Sequence, residues 1–500
     1  MLRNYLRTKL ALAYENFILV FDPDRILLSA NLMTEAVQQG FTSYTYNDPE
    51  EFRYLYELRL RDNKESKVLI LVPDEKIYVP YDLRKRSYVV SLSLAELFPK
   101  LNTQALRTKT YIDLDLLYIA YSNYFGGFLN SSETEEFLKT TIYSRENAEE
   151  YVSNLISNIK IYLKLTDSLE QFSYTNWFEI AEKWAKARLL VDSGYAQVNL
   201  QDTSLAIDQV FQIWLEKNYR FLSASSSGES PVMVHRTLDL IHSRSKKAAL
   251  LLIDGMSLEN WYTFLSFAQG LPAQDKVILG NSFAIIPTVT SVSRQAIFSG
   301  KPPVTHPNPF GLANEEKQFR EYLREAGYKN EDIYYGRGLN VELPPQTKIA
   351  GIIINTIDDI MHGQIQGQGG MVRDVRSWAE SGELQNLIKG LLEAGFDIYI
   401  TSDHGNIEAT GQGKPGNEGL LTETTSQRAR VYQDFALTDK VEKDFEVIKF
   451  PGTYLPKGFQ YIIAKGYHSF TTKGKRIVCH GGTNIEEVIV PFVQIKQKPS

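Results

Sequence analysis

The chain has 500 residues, more than one hydrophobic core usually serves, so two or three domains are expected. Its 43% hydrophobic and 23% charged residues exclude a disordered chain, and cores of that size need no disulfide or structural zinc; with one cysteine, Cys479, an intrachain disulfide is excluded outright. A net charge of −6 excludes a broad field that attracts nucleic acid, and no apolar run reaches the ~20 residues a membrane helix needs.

The N-terminus, MLRNYLRTKLALAYENFILVF, is mildly basic. Tyr14, Glu15 and Asn16 interrupt any apolar h-region and no small-residue cleavage site follows, so the stretch reads as a helix and a strand rather than a signal peptide. The expected location is the cytoplasm. NFILVFDP (16–23), KVLILVP (67–73) and SYVVSLS (87–93) are apolar runs of strand length and give a small α/β N-terminal domain over 1–93. Asp22, at the end of the first run, is expected to serve a turn or cap rather than a site. The basic clusters Arg84-Lys85-Arg86 and Arg244 to Lys247 read as solvated surface or interface.

From 94 to 222 the pattern turns helical. AELFPKL, YIDLDLLYIAYSNYF, AEEYVSNLISNIKIYLKL and AIDQVFQIWLEKNYRFL place apolar residues at helical spacing. Their aromatics are core material, no catalytic cluster is visible, and a packing or partner role is expected. SASSSGESP (223–231), small, polar and broken by Gly228 and Pro231, is the linker that sets the main boundary.

Over 232–500 strands and helices alternate. KKAALLLIDG, KVILGNSFAIIP, KIAGIIINTID and FDIYITSDHG are strand-like. LENWYTFLSFAQG, SVSRQAIFSG, EEKQFREYLREAG and SGELQNLIKGLLEAG are helical. Such alternation predicts an α/β fold with a mostly parallel sheet covered by helices on both faces. Ligands of such sheets sit outside the carboxyl ends of the strands. Asp254, Asp358 and Asp403 each follow a strand-like run, so they are expected on one rim. GQIQGQGG (363–370) and the stretch 405–430 read as polar, glycine-rich loops beside it, candidates for lids or for simple disorder.

Five ordered fragments carry candidate ligands: LLIDGMS (Asp254), IPTVTSVSR (Thr288, Thr290), IDDIMH (Asp358, His362), TSDHG (Asp403, His404) and CHGG (His480). Each alone has a plainer explanation. Asp254 would be a turn or cap, Thr290 an N-cap, Asp358 and His362 a hydrogen-bonded pair one helical turn apart. Together they make three carboxylates, three imidazoles and, from one of the two threonines, a hydroxyl, a donor set suited to two divalent cations such as zinc or manganese. Cations ~3.5–4 Å apart can hold the attacking and leaving oxygens of an in-line phosphoryl displacement, and coordination activates a threonine hydroxyl. A helix starting at SVSRQAIF would turn its first amides toward phosphate beside Thr290. His235, His242, His306 and His468 lack such neighbours and are expected to be structural.

At these residues the chain resembles the PglZ family, a branch of the alkaline phosphatase superfamily. The likeness lies in IDG, PTVTSVSRQAIFSG, IDDIMHG, TSDHGN and HGGTNIEEVIVPF, over roughly residues 232–500, with a looser likeness in DPDRILL and PYDLRKR. The resemblance implies that Asp254, Thr290, Asp403 and His404 bind one metal and that Asp358, His362 and His480 bind the other. It implies that Thr290 is the attacking group, with Thr288 its neighbour. Arg294 would touch phosphate or lie at a surface. The implied cofactors are two divalent metal ions, zinc first and manganese second. The implied setting is a BREX-type phage-defence system, with a DNA methyltransferase and large ATPases as partners.

The expected activity is that of a metal-dependent phosphodiesterase or nuclease-like hydrolase acting on a phosphodiester, a nucleotide or nucleic acid, through a phosphothreonine intermediate. The rival reading is a metal-binding scaffold of the defence complex with little turnover, motivated by the large helical region. A sulfatase is disfavoured because TVTSVSR lacks the Cys/Ser-x-Pro-x-Arg pattern. A phosphate mutase is disfavoured because 291–357 is too short and regular for a large cap domain.

Overall fold

The computed structural model describes residues 2–29, 32–46, 48–62, 66–109, 111–164, 172–225, 228, 230–272, 277–306, 310–416, 418–421, 426–433 and 435–496. It divides into two compact units, one of Met1–Tyr151 and one of Val152–Pro272 with Lys276–Ser500. Part of the expected linker 223–231 (226, 227 and 229) and part of the stretch 405–430 (417 and 422–425) lie outside the described residues.

The first unit is built on four parallel strands, β1 (Phe17–Phe21), β2 (Phe41–Thr45), β3 (Lys67–Val72) and β4 (Tyr88–Ser91), in the order β2-β3-β1-β4. The central strand β1 is buried at every position, whereas the edge strands β2 and β4 expose most of theirs. That burial explains why the central runs are continuously apolar and why β2, FTSYT, escapes a search for apolar runs. Phe17, Leu19 and Phe21 face the same core as Val68, Ile70 and Val72, their register partners on β3. Asp22 is buried and accepts the backbone amides of Ile26 and Leu27 at 2.7 and 2.9 Å, so it serves as a cap.

The second unit carries β5 (Ala248–Ile253), β6 (Val277–Phe283), β7 (Ile333–Arg337), β8 (Ile349–Ile354) and β9 (Asp397–Thr401). They are followed by β10 (Ile407–Gly411), β11 (Ala429–Tyr432), β12 (Val447–Phe450), β13 (Gln460–Ala464), β14 (His468–Ser469), β15 (Arg476–Cys479) and β16 (Ile489–Ile495). The main sheet runs β6-β16-β9-β5-β8-β7. β9, β5, β8 and β7 are mutually parallel, and β16 runs against both β9 and β6. Every position of β5 and of β8 is buried, so both faces are covered. On one side Phe298 and Phe319 press on Gly351 of β8, where a Cβ would lie 2.9 Å from each ring. A separate helical layer stacks Phe264 on Trp261 and packs it at a tilt against Trp378. Two small sheets, β14-β10-β15 and β11-β13-β12, complete the unit.

The division of the chain falls inside the stretch 94–222 read as one helical region, within the helix Arg145–Lys164. The physical reason is aromatic packing. Phe178 of the helix Tyr174–Asp192 and Trp214 of the helix Gln201–Asn218 lie on Phe283 of β6, with ring centroids 5.1 and 5.8 Å away. The glycines of 363–370 do not make a loop of that whole length: the helix Gly367–Ser381 begins among them. A Cβ at Gly369 would sit 3.3 Å from the Asp192 carbonyl, so the small residue permits close helix approach. No helix among the described residues is long and apolar enough to cross a membrane.

His235 is buried and its Nε2 pairs with Ser223 Oγ at 2.9 Å. Burial, then the charge of Arg236, pushes its pKa from 6.5 down to about 4. Between those values the unfolded chain holds a proton that the folded chain does not, so stability is lost as pH falls through this window. A shift of that size corresponds to ~3 kcal/mol. Urea midpoints measured from pH 7 to pH 4 should therefore fall, and the fall should be shallower in His235→Gln; equal slopes in both proteins would contradict the assignment.

Candidate metal centre

The register of the main sheet sets the rim. Leu252 of β5 pairs with Ile353 of β8 and Thr401 of β9, so the three strands end level with one another. Asp254 follows β5 directly, and Asp403 and His404 follow β9 by two and three residues. Asp358 lies in the first turn of the helix Thr356–Gly363, which starts just past β8, and His362 lies one turn on. Thr290 is the first residue of the helix Thr290–Ser299, and His480 follows β15.

These elements bring the candidate residues together in two groups. Ligand atoms of Asp254, Asp403 and His404 lie within 4.8 Å of one another, and so do those of Asp358, His362 and His480. Thr290 joins the first group, its hydroxyl donating to His404 Nε2 at 3.0 Å. The groups adjoin: the rings of His404 and His480 stack with centroids 3.9 Å apart. His404 Nε2 lies 3.5 Å from Asp403 Oδ2 and 3.8 Å from Asp254 Oδ1, and His362 Nε2 lies 3.4 Å from Asp358 Oδ1.

Hydrogen bonds fix which atoms face inward. His404 Nδ1–H donates to the Gly405 carbonyl at 3.0 Å and His480 Nδ1–H donates to the Thr288 carbonyl at 2.8 Å. A carbonyl only accepts, so both rings carry their proton on Nδ1 and present an unprotonated Nε2, that of His404 accepting from Thr290. Asp403 Oδ1 accepts the amides of Gly255 and His404, both at 3.1 Å. Asp403 Oδ2 and Asp254 Oδ1 are buried and have no hydrogen-bond partner among the described residues. Two such oxygens side by side are costly unless a cation meets them. Unprotonated imidazole nitrogens beside unpartnered carboxylate oxygens are the donor set a divalent cation takes, so the residues fit the expected metals.

The electrostatics follow from burial. Burial, and then the Asp254 carboxylate, push the Asp403 carboxyl well above the ordinary range. Burial lowers His404, and burial with the neighbouring His404 lowers His480 to about 3. In the second group, burial works against the charge of Asp358, but the imidazole of His362 holds its carboxyl below the usual value, and Asp358 in turn raises His362.

Arg294 is 2% exposed and so does not lie at a surface; its guanidinium bonds Asp254 Oδ2 at 2.8 Å and grips both oxygens of Glu315. Thr288 is wholly buried. Its hydroxyl donates to the Gly482 carbonyl at 3.0 Å and accepts the Gly481 amide at 3.1 Å, so it pins the loop that bears His480. Glu487, paired with the buried Arg428, accepts the Gly482 amide at 2.8 Å and holds the same loop from the other side. At Gly405 a Cβ would lie 2.0 Å from the Glu486 carbonyl, which accounts for the glycine after His404. Cys479 packs against Ile407 and Ala409, and burial pushes its thiol up to about 12, so it offers no thiolate beside His480.

Glu315, Arg428 and Glu487 are supporting residues that the sequence reading did not single out, and the helix Tyr174–Asp192, which carries Arg188 to Glu259 at 2.9 Å, is another omission. For that helix a signal existed: Trp177, Ile180, Ala181 and Trp184 recur at helical spacing and are all buried. The acids and arginines gave no signal, because their partners are far away in sequence.

A family model described as the BREX system PglZ alkaline phosphatase-like domain matches residues 233–495. Among solved structures, murine ectonucleotide pyrophosphatase/phosphodiesterase 5 is 13% identical, the match covering 49% of this chain and 87% of that one at a TM-score of 0.33. Phosphonoacetate hydrolase from Sinorhizobium meliloti 1021, in complex with phosphonoformate, is 12% identical over 51% of this chain and 92% of that one, at a TM-score of 0.35. These are distant likenesses. No curated protein matches the chain.

Proposed function

The chain belongs to the PglZ family, the alkaline phosphatase-like domain of BREX systems, and from that premise we propose that it is a two-metal phosphoryl-transfer hydrolase of the phosphodiesterase kind with Thr290 as nucleophile. Asp254, Asp403, His404 and Thr290 would hold one divalent cation, and Asp358, His362 and His480 the other, zinc being the first choice and manganese the second. The observation that supports this most is the pair of adjoining three-residue groups, with unpartnered carboxylate oxygens beside imidazoles locked with Nε2 unprotonated. Bound there, the cations would offset charge on the attacking and leaving oxygens of an in-line displacement.

The chain's own groups would do the rest. Thr290 Oγ1 would attack phosphorus, its proton passing to the leaving oxygen as that bond breaks, to give a phosphothreonine that keeps the substrate's other ester group; water would then cleave the bond from phosphorus to threonine, restoring the hydroxyl and releasing a phosphomonoester. The amides opening the helix Thr290–Ser299 lie beside the nucleophile and would receive the phosphoryl oxygens. The substrate would be a phosphodiester, whether nucleotide or nucleic acid, and the setting a cytoplasmic BREX-type defence system with its methyltransferase and ATPases.

Turnover of bis(4-nitrophenyl) phosphate and 4-nitrophenyl phosphate by the purified chain tests the proposal. Bis-ester hydrolysis should require zinc or manganese, stop with chelator and return on adding the metal back. No cation-dependent hydrolysis of either ester would count against an enzyme and favour the scaffold reading.

A further inference from the structure

A metal-ligating carboxylate works only if its free oxygen is aimed, and in this fold the aiming of Asp254 depends on a residue one helical turn beyond Thr290. Asp254 Oδ2 is taken by Arg294 Nη1 at 2.8 Å, which leaves Oδ1, buried and without a hydrogen-bond partner among the described residues, on the side of His404. Arg294 is itself immobilised. Its Nε and Nη2 bond Glu315 at 2.9 and 2.8 Å in a two-pronged grip. Glu315, 1% exposed, also accepts from Tyr335 Oη and from Arg337 Nη2, the latter at 3.3 Å. The helix Thr290–Ser299 thus carries both the hydroxyl of the first group and the clamp on one of its carboxylates.

We propose that Arg294, locked by Glu315, is a positioning residue that sets the orientation of Asp254 toward the first cation; this rests on the two-metal reading above. The alternative, a buried ion pair that merely supports the fold, makes an opposite prediction about metal. Removing a positive charge so near a cation site should tighten cation binding by Coulomb attraction alone. Releasing Asp254 from its clamp should weaken it, by about 10- to 100-fold on the scale seen when partners of metal ligands are lost.

The test is calorimetric titration of zinc and of manganese into chelator-stripped wild type, Arg294→Lys, Arg294→Met and Glu315→Gln, with melting curves on the same samples. The positioning role predicts affinity at one of two sites falling in the order wild type, Lys, Met, with Glu315→Gln intermediate and the second site unchanged. Equal or tighter binding in folded Arg294→Met would overturn it. If Arg294→Met does not fold, Arg294→Lys decides, because it keeps the charge and changes only the clamp: weaker binding at one site supports the positioning role, and wild-type binding overturns it. Wild type that binds no cation would instead refute the two-metal reading itself.

Discussion

Replacing Thr290 by alanine should lower bis-ester turnover by about 10³-fold or more while cation content stays at the wild-type level. Thr290 Oγ1 is the proposed nucleophile and lies against the first group, donating to His404 Nε2 at 3.0 Å. It is also the first residue of its helix, where the missing hydroxyl leaves backbone and packing in place. The carboxylates and imidazoles would keep the cations, so the loss should appear in kcat and not in metal content. Thr288→Ala supplies the contrast. Its hydroxyl touches Gly481 and Gly482, and its carbonyl holds His480, so that variant should lose cation affinity in the second group. Inductively coupled plasma analysis alongside kinetics separates the two. Full turnover in Thr290→Ala would remove it as nucleophile.

Asp403→Asn should abolish cation binding in the first group and yet make the metal-free chain no less stable than wild type. Asp403 is wholly buried, its Oδ2 lacks a hydrogen-bond partner among the described residues, and Asp254 and burial together resist its ionisation. Asparagine keeps an acceptor for the Gly255 and His404 amides and removes a charge that burial and the neighbouring Asp254 oppose. Wild type at a free cation concentration of 100 Kd should gain ~2.7 kcal/mol by linkage, and the variant should lose the part that comes from the first group. Melting curves with and without zinc read both effects. A metal-free variant that melts well below wild type, or one whose zinc response is undiminished, would contradict the role.

The strands that carry the acids were legible because parallel strands buried on both faces are continuously apolar, and the runs before Asp254, Asp358 and Asp403 end where the sheet ends. The pairing of Asp358 with His362 was legible as one turn of helix. Arg294 was not legible. Its spacing from Thr290 says which side of a helix it lies on, but Glu315 and Asp254 stand 21 and 40 residues away, and only the fold closes those gaps. The same holds for Arg428 and Glu487, 59 residues apart. The strands β10 to β15 are short, and β10 pairs with β15 through Ile407 and Cys479, so neither period nor length announces them. The glycines of 363–370 were read as one mobile loop, whereas Gly367 opens a helix at positive φ and Gly369 lets that helix approach the Asp192 carbonyl.

The most direct test of the account is an anomalous-difference map from crystals of the chain grown with zinc and measured across the zinc edge. The account predicts two peaks, one bounded by Asp254, Asp403, His404 and Thr290 and one by Asp358, His362 and His480. An empty map at both groups, with zinc bound elsewhere or not at all, would contradict it.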